Sequence, residues 1–200
     1  MPEKINRDIC LIKYRAFPLR AYDSNAGNDE IYYYPKVHSK YWIALETKSS
    51  KTLGKVLSTE LTQLFKSLNI ENLIFFGDYD RSWISKFTET RNDYKPLIEA
   101  VLYFKNLKIG NRFKGGIKVK IEELSEFISH FYVLTKCDAS FCHYHFIDEE
   151  QTILGFIHYS GEVQIMTLNC SMNDGFKDKV SNTKFIDSFR DNTERLNKDL

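Results

Sequence analysis

The stretch from Ser140 to Leu168 constrains this chain most, because three short apolar runs are separated there by compact turn signals. Phe141–Ile147 and Thr152–Tyr159 flank Asp148-Glu149-Glu150-Gln151, and Ser160-Gly161 precedes Glu162–Leu168. Such runs, rich in Phe, Ile, Val, Tyr and Thr, read as strands, and links this short join antiparallel neighbours. A three-strand meander is therefore predicted.

The remainder reads as a mixture of helices and further strands. Leu53, Leu57, Leu61, Leu64, Phe65 and Leu68 recur at helical spacing, so a helix is expected over about Lys51–Leu68, with Ser49 or Ser50 as N-cap. A second helical stretch covers Ser82–Leu107, broken near Asn92-Asp93, with Pro96 in the first turn of its second part. Glu122–Leu134 and Thr183–Leu196 are also expected to be helical. Strands are expected at Ile9–Leu19, Glu30–Tyr34, Lys40–Glu46, Leu73–Phe76 and Ile117–Ile121, so the first third reads as a β-meander. Helices and strands do not alternate regularly enough for a doubly wound fold. The expectation is one α+β domain over residues 1–200. It has an antiparallel sheet, helices packed on one side, and a C-terminal helix after the three-strand meander.

Two hundred residues suffice to bury roughly 70% of the unfolded surface without disulfide or metal staples. No apolar run approaches the ~20 residues of a membrane span, and the N-terminus lacks the apolar stretch of a signal peptide. Cys10, Cys137, Cys142 and Cys170 are scattered, which favours free thiols over a secreted framework. A cytoplasmic protein is expected, with no membrane partner and no cofactor. The net charge of +1 conceals an asymmetry: residues 1–121 carry 21 Lys+Arg and 13 Asp+Glu, residues 122–200 carry 7 and 14. The bases are dispersed among acids with no basic stripe, so direct nucleic-acid binding is not expected.

Three constellations could carry chemistry, and each has a plainer reading. His143 and His145 share one face of a strand, as paired metal ligands would. If Ile147 pairs with Thr152, His158 falls about 13 Å from His145 at ~3.3 Å per residue, and half-buried sheet histidines are the simpler account. Asp78 and Asp80 follow an apolar strand, where an aspartyl nucleophile or Mg²⁺ site of a small hydrolase or phosphoryl-transfer enzyme could sit. The pattern superficially resembles the first motif of haloacid-dehalogenase phosphatases, but has Arg81 where Thr or Val is usual. A turn and N-cap for a helix near Ser82 accounts for both acids. Gly110, Gly115 and Gly116 with Arg112 and Lys114 could cradle a phosphate, yet the Gly-Lys-Ser/Thr signature is missing and a plain turn suffices. No catalytic or metal residue is assigned.

What remains is recognition of a protein. Acids near loop tips steer a basic partner and aromatic rings supply contact area. Tyr144, Asp148, Glu149, Glu150, Tyr159 and Glu162 are the expected partner-binding residues. Four segments support a resemblance: Phe-Gly-Asp-Tyr (76–79), Ile-Gly-Asn-Arg-Phe-Lys-Gly-Gly (109–116), Cys-Asp-Ala-Ser (137–140) and Tyr-His-Phe-Ile-Asp-Glu-Glu (144–150). Between Gly77 and Leu168 the chain resembles bacterial immunity proteins against polymorphic toxins, including those of contact-dependent growth inhibition. The resemblance implies a cytosolic, non-catalytic protein that binds one toxin domain, often a nuclease, at or near its active site. A regulatory or scaffold domain is the further alternative.

Overall fold

The computed structural model describes residues 1–21, 31–33, 35–46, 49–77, 80–141, 144–190 and 193–196. Its strands are β1 (Glu3–Ile5), β2 (Leu19–Ala21), β3 (Ile31–Tyr33), β4 (Ser39–Leu45), β5 (Asn72–Gly77), β6 (Gly116–Lys120), β7 (Tyr144–Asp148), β8 (Ile153–Ile157), β9 (Val163–Thr167) and β10 (Phe185–Asp187). Its α-helices are α1 (Arg7–Lys13), α2 (Ser50–Ser67), α3 (Lys86–Thr90), α4 (Lys95–Asn106), α5 (Leu124–Cys137) and α6 (Cys170–Val180). Among the described residues, eight strands form one antiparallel sheet in the order β1-β6-β5-β7-β8-β9-β4-β10, and β2 pairs with β3 apart from it. The fold is α+β, and no described helix is long and apolar enough to cross a membrane.

Strand alternation divides the core in two. Leu73 and Phe75 of β5 face the main helices, and Ile74 and Phe76 face away. On the first side α2 contributes Leu57, Leu61 and Phe65, α4 contributes Leu97 and Phe104, α5 contributes Phe127 and Phe131, and α6 contributes Phe176. Phe75 lies at their centre, with ring centroids of Phe127 at 4.7 Å and Phe131 at 5.2 Å. A buried Phe contributes roughly 1.5–3 kcal/mol relative to exposure, so this aromatic layer accounts for much of the stability. Gly155 of β8 is required by close approach: a Cβ there would lie 2.4 Å from the Gln164 carbonyl oxygen and 2.6 Å from the Phe146 ring.

The second side is covered by α1, where a strand was expected. Cys10, Tyr14 and Phe17 are buried against Ile74, Phe76, Ile147, Leu154 and Met166. Cys10 lies in α1, Tyr14 is its C-cap and Phe17 lies in the turn that follows, and the Asn6 side chain caps the start of α1 by accepting from the Asp8 N–H at 2.8 Å. The first third is therefore no continuous meander: β2–β3 stand apart and β4 joins the main sheet.

The terminal helix expected at Thr183–Leu196 is also corrected. Helix α6 lies earlier, capped by Asn169, and Phe185–Asp187 pairs with β4 as an edge strand. Asp187 then accepts from the N–H groups of Phe189 and Leu196, and the described residues 188–190 and 193–196 are neither helical nor strand. Ser82–Ser85 is not helical. Ser85 caps α3 by accepting from the Thr88 N–H, so Asp80 is not the cap. The helices at α2, α4 and α5 and the strands of the meander stand within a few residues of their expected positions.

Candidate functional site

Strand β7 ends at Asp148, and the chain turns back through Gln151 in the left-handed region (φ 55°) to start β8. Asp148 closes this turn. Its carboxylate is 4% exposed and accepts from the Thr152 N–H (2.7 Å), the Thr152 hydroxyl (2.8 Å) and the Ile153 N–H (2.9 Å). Glu149 accepts from the Lys118 ammonium at 2.7 Å and the Asn72 side chain at 2.8 Å, with Lys13 at 3.8 Å. Burial opposes ionisation of Glu149, but Lys118, then Lys13 and Asn72, outweigh it and hold the carboxyl below its ordinary value. Glu150 is exposed and has no ion-pair partner among the described residues.

Because β5 pairs with β7, Leu73 standing opposite Asp148, the residue before β5 reaches the same place. That residue is Glu71, which sequence reasoning did not single out. The pairing of an apolar run preceded by Glu with the run that ends in Asp-Glu-Glu was the signal that could have found it. Glu71, Asp148, Glu149 and Glu150 line a groove of about 430 Å³ together with Leu68 and Met172. Glu71 and Glu150 are the acids there whose charge is not paired within the described fold. A concave surface of this charge can receive a cationic side chain.

The other expected binding residues are not gathered here. Tyr144 is 6% exposed and is a core residue, with ring centroids 4.3 Å from Trp83 and 4.5 Å from Phe141. The reading of Tyr144 as a surface anchor is therefore corrected: it faces the helices on the same side as Phe146. Tyr159 is 61% exposed, its ring 4.1 Å from that of His158. Glu162 is held by an ion pair with Arg190, which lies 4.1 Å from the Trp42 ring, and by the Ser160 hydroxyl at 2.9 Å. Arg190, then Ser160, hold the Glu162 carboxyl below its usual range against the opposing effect of burial. Tyr159 and Glu162 occupy the turn at the far end of β8, roughly 16 Å from the first turn at about 3.3 Å per residue. Five of the six residues thus divide between two separate turns, and Tyr144 belongs to the core.

The histidine register also differs from expectation. His145 pairs with Phe156 and Ile147 with Leu154, a shift of two residues. His158 is thus two positions beyond the partner of His145, roughly 7 Å along the strand. His145 is buried, and the Nδ1 of His158 lies 2.7 Å from the Ser160 hydroxyl within its own turn. Burial, then Arg190, lower the His158 pKa. His143, Cys142 and Asp78 lie outside the described residues. Among the described residues no three His, Cys, Asp or Glu side chains gather as a ligand set. Cys10, Cys137 and Cys170 are free, and burial pushes the Cys10 thiol up to about 11.

The structure does bring together two features that the sequence presents separately. Asp80 meets Lys114 at 3.2 Å and Arg7 at 3.9 Å, beside Arg112, in an open cleft of about 560 Å³. The loop before β6 is further held by Trp83, whose indole N–H donates to the Gly115 carbonyl at 2.7 Å. Asp80 thus helps to close a loop, a structural task for a carboxylate that is 68% exposed.

Comparison with protein-family models, with curated proteins and with solved structures found no match to this chain.

Proposed function

We propose that this chain is a non-catalytic cytoplasmic binding protein that covers and neutralises a basic toxin domain, most plainly a nuclease, as the immunity-protein resemblance implies. The observation that supports this reading is the groove in which Glu71 and Glu150 stand exposed beside the partly neutralised Glu149. A nuclease domain that binds polyanions presents Lys and Arg at its active site, and a carboxylate-lined concavity is complementary to them. Glu162 is bound to Arg190 at the other turn and takes no part in this surface.

The test is association kinetics with candidate basic nuclease toxin domains. Glu71→Lys with Glu150→Lys should slow association by about tenfold or more at low salt. High salt should slow the wild type and narrow the difference. A double variant that associates as fast as wild type at low salt would remove the groove as the toxin-facing surface.

A further inference from the structure

The acidic groove does not end at the carboxylates. A second concavity of about 280 Å³ shares Leu68, Asn69, Thr152 and Met172 with it and continues to Asn169 and Ser171 at the start of α6. The two form one trough with three kinds of surface along it. Glu71 and Glu150 mark the first end. Leu68 and Met172 are half-buried against the core and give the middle an apolar floor. Asn169, Ser171 and Lys179 give a polar second end without carboxylates in its lining, and Lys179 is paired with Asp178.

The second end has an electrostatic sign of its own. Asn169 caps α6 by accepting from the Met172 N–H at 2.8 Å, so the trough ends on the positive end of the helix dipole. A cation is therefore favoured at Glu71 and Glu150 and disfavoured at Ser171. A uniformly basic surface would not match this profile. A chain segment with an apolar side chain at the middle and Lys or Arg to one side of it would.

Resting on the reading of this groove as the partner site, we propose that the trough seats a single extended segment of the protein partner, in one direction, with an aliphatic side chain on Leu68 and Met172 and a Lys or Arg between Glu71 and Glu150. The apolar contact supplies persistence and the ion pairs supply direction. Selectivity then comes from the order of the two residue types along the partner and not from its net charge alone.

The experiment uses a short capped peptide carrying one leucine followed by a pair of lysines, titrated into the full chain while backbone amide resonances are recorded. The expected result is movement of Asn69, Glu71 and Glu150 at one end and of Ser171 and Met172 at the other. A peptide with glycine in place of leucine should bind about tenfold more weakly, the size of losing a buried leucine. Ser171→Trp, at an exposed position that costs the fold little, should weaken the leucine peptide while leaving amide shifts elsewhere in the sheet unchanged. Equal affinity of the leucine and glycine peptides, or shifts confined to the acidic end, would overturn the seating. The toxin-domain kinetics separate the two ideas. If Glu71→Lys with Glu150→Lys slows association while Ser171→Trp and the leucine have no effect, the trough falls and the neutralising function stands.

Discussion

Both turns of the meander carry acids, and they differ in what those acids do. At the first, Asp148 is withdrawn into the turn, Glu149 is paired, and Glu150 is left with its charge facing solvent. At the second, Glu162 is engaged by Arg190 and Ser160, while the neighbouring Tyr159 projects outward. An acid at a loop tip is therefore no measure of surface charge. What decides is whether hydrogen-bond donors or a cation stand within reach, and at both turns some of those come from distant parts of the chain.

The largest effect that would break this contrast is expected at Asp148. Asp148→Ala leaves two N–H groups and a hydroxyl at the first turn without their acceptor, and should cost about 3 kcal/mol in urea unfolding. A loss no greater than that of an exposed acid would mean that the first turn is not organised around this carboxylate.

A smaller effect belongs to the second turn. Arg190→Ala removes the ion pair to Glu162 and the stack on Trp42, and should cost about 1 kcal/mol because the guanidinium is partly exposed. The folded Glu162 carboxyl sits below its ordinary value of 4.5, chiefly through the Arg190 hydrogen bond. Its contribution is accordingly complete above that pH and is lost as pH falls through the lowered folded value. The stability difference between wild type and Glu162→Gln should thus be full at neutral pH and shrink as pH drops below about 4.5. A difference that persists unchanged in acid would show that Glu162 acts by shape and not by charge.

The smallest effect on stability is expected at Glu150. Glu150→Gln should leave the melting temperature within the range of an ordinary surface substitution, about 0.5 kcal/mol, while slowing association with the proposed toxin partner. Destabilisation comparable to Asp148→Ala would erase the distinction between the two neighbouring acids.

Parts of this molecule were legible because they are local. The leucine repeat of α2 leaves one choice of period, and Ser160-Gly161 suits a tight reversal in which Gly161 takes φ +91°. Residues 9–19 were not legible, since Cys10, Ile12 and Tyr14 alternate as in a strand, while the chain is helical to Lys13 and then turns. The open second face of the sheet decided for the helix, because Ile74, Phe76, Ile147 and Leu154 needed a cover. Phe185, Ile186 and Phe189 likewise suit a helix, but β4 offers an unpaired edge and β10 satisfies its backbone groups.

The candidate site divides in the same way. The turn at Asp148–Gln151 and its acidic character follow from adjacent residues, so the amino-acid order by itself determined that carboxylates would stand at that end of the sheet. Only the tertiary structure decided which of them keep a charge that is not paired within the described fold. Lys118 reaches Glu149 across the sheet, and Arg190 reaches Glu162 from beyond β10. Glu71 joins the groove through the pairing of β5 with β7, although it lies far from the meander in sequence. Charge pairing acts over a few ångströms of space, and spatial proximity between such distant residues exists only once the sheet has been assembled.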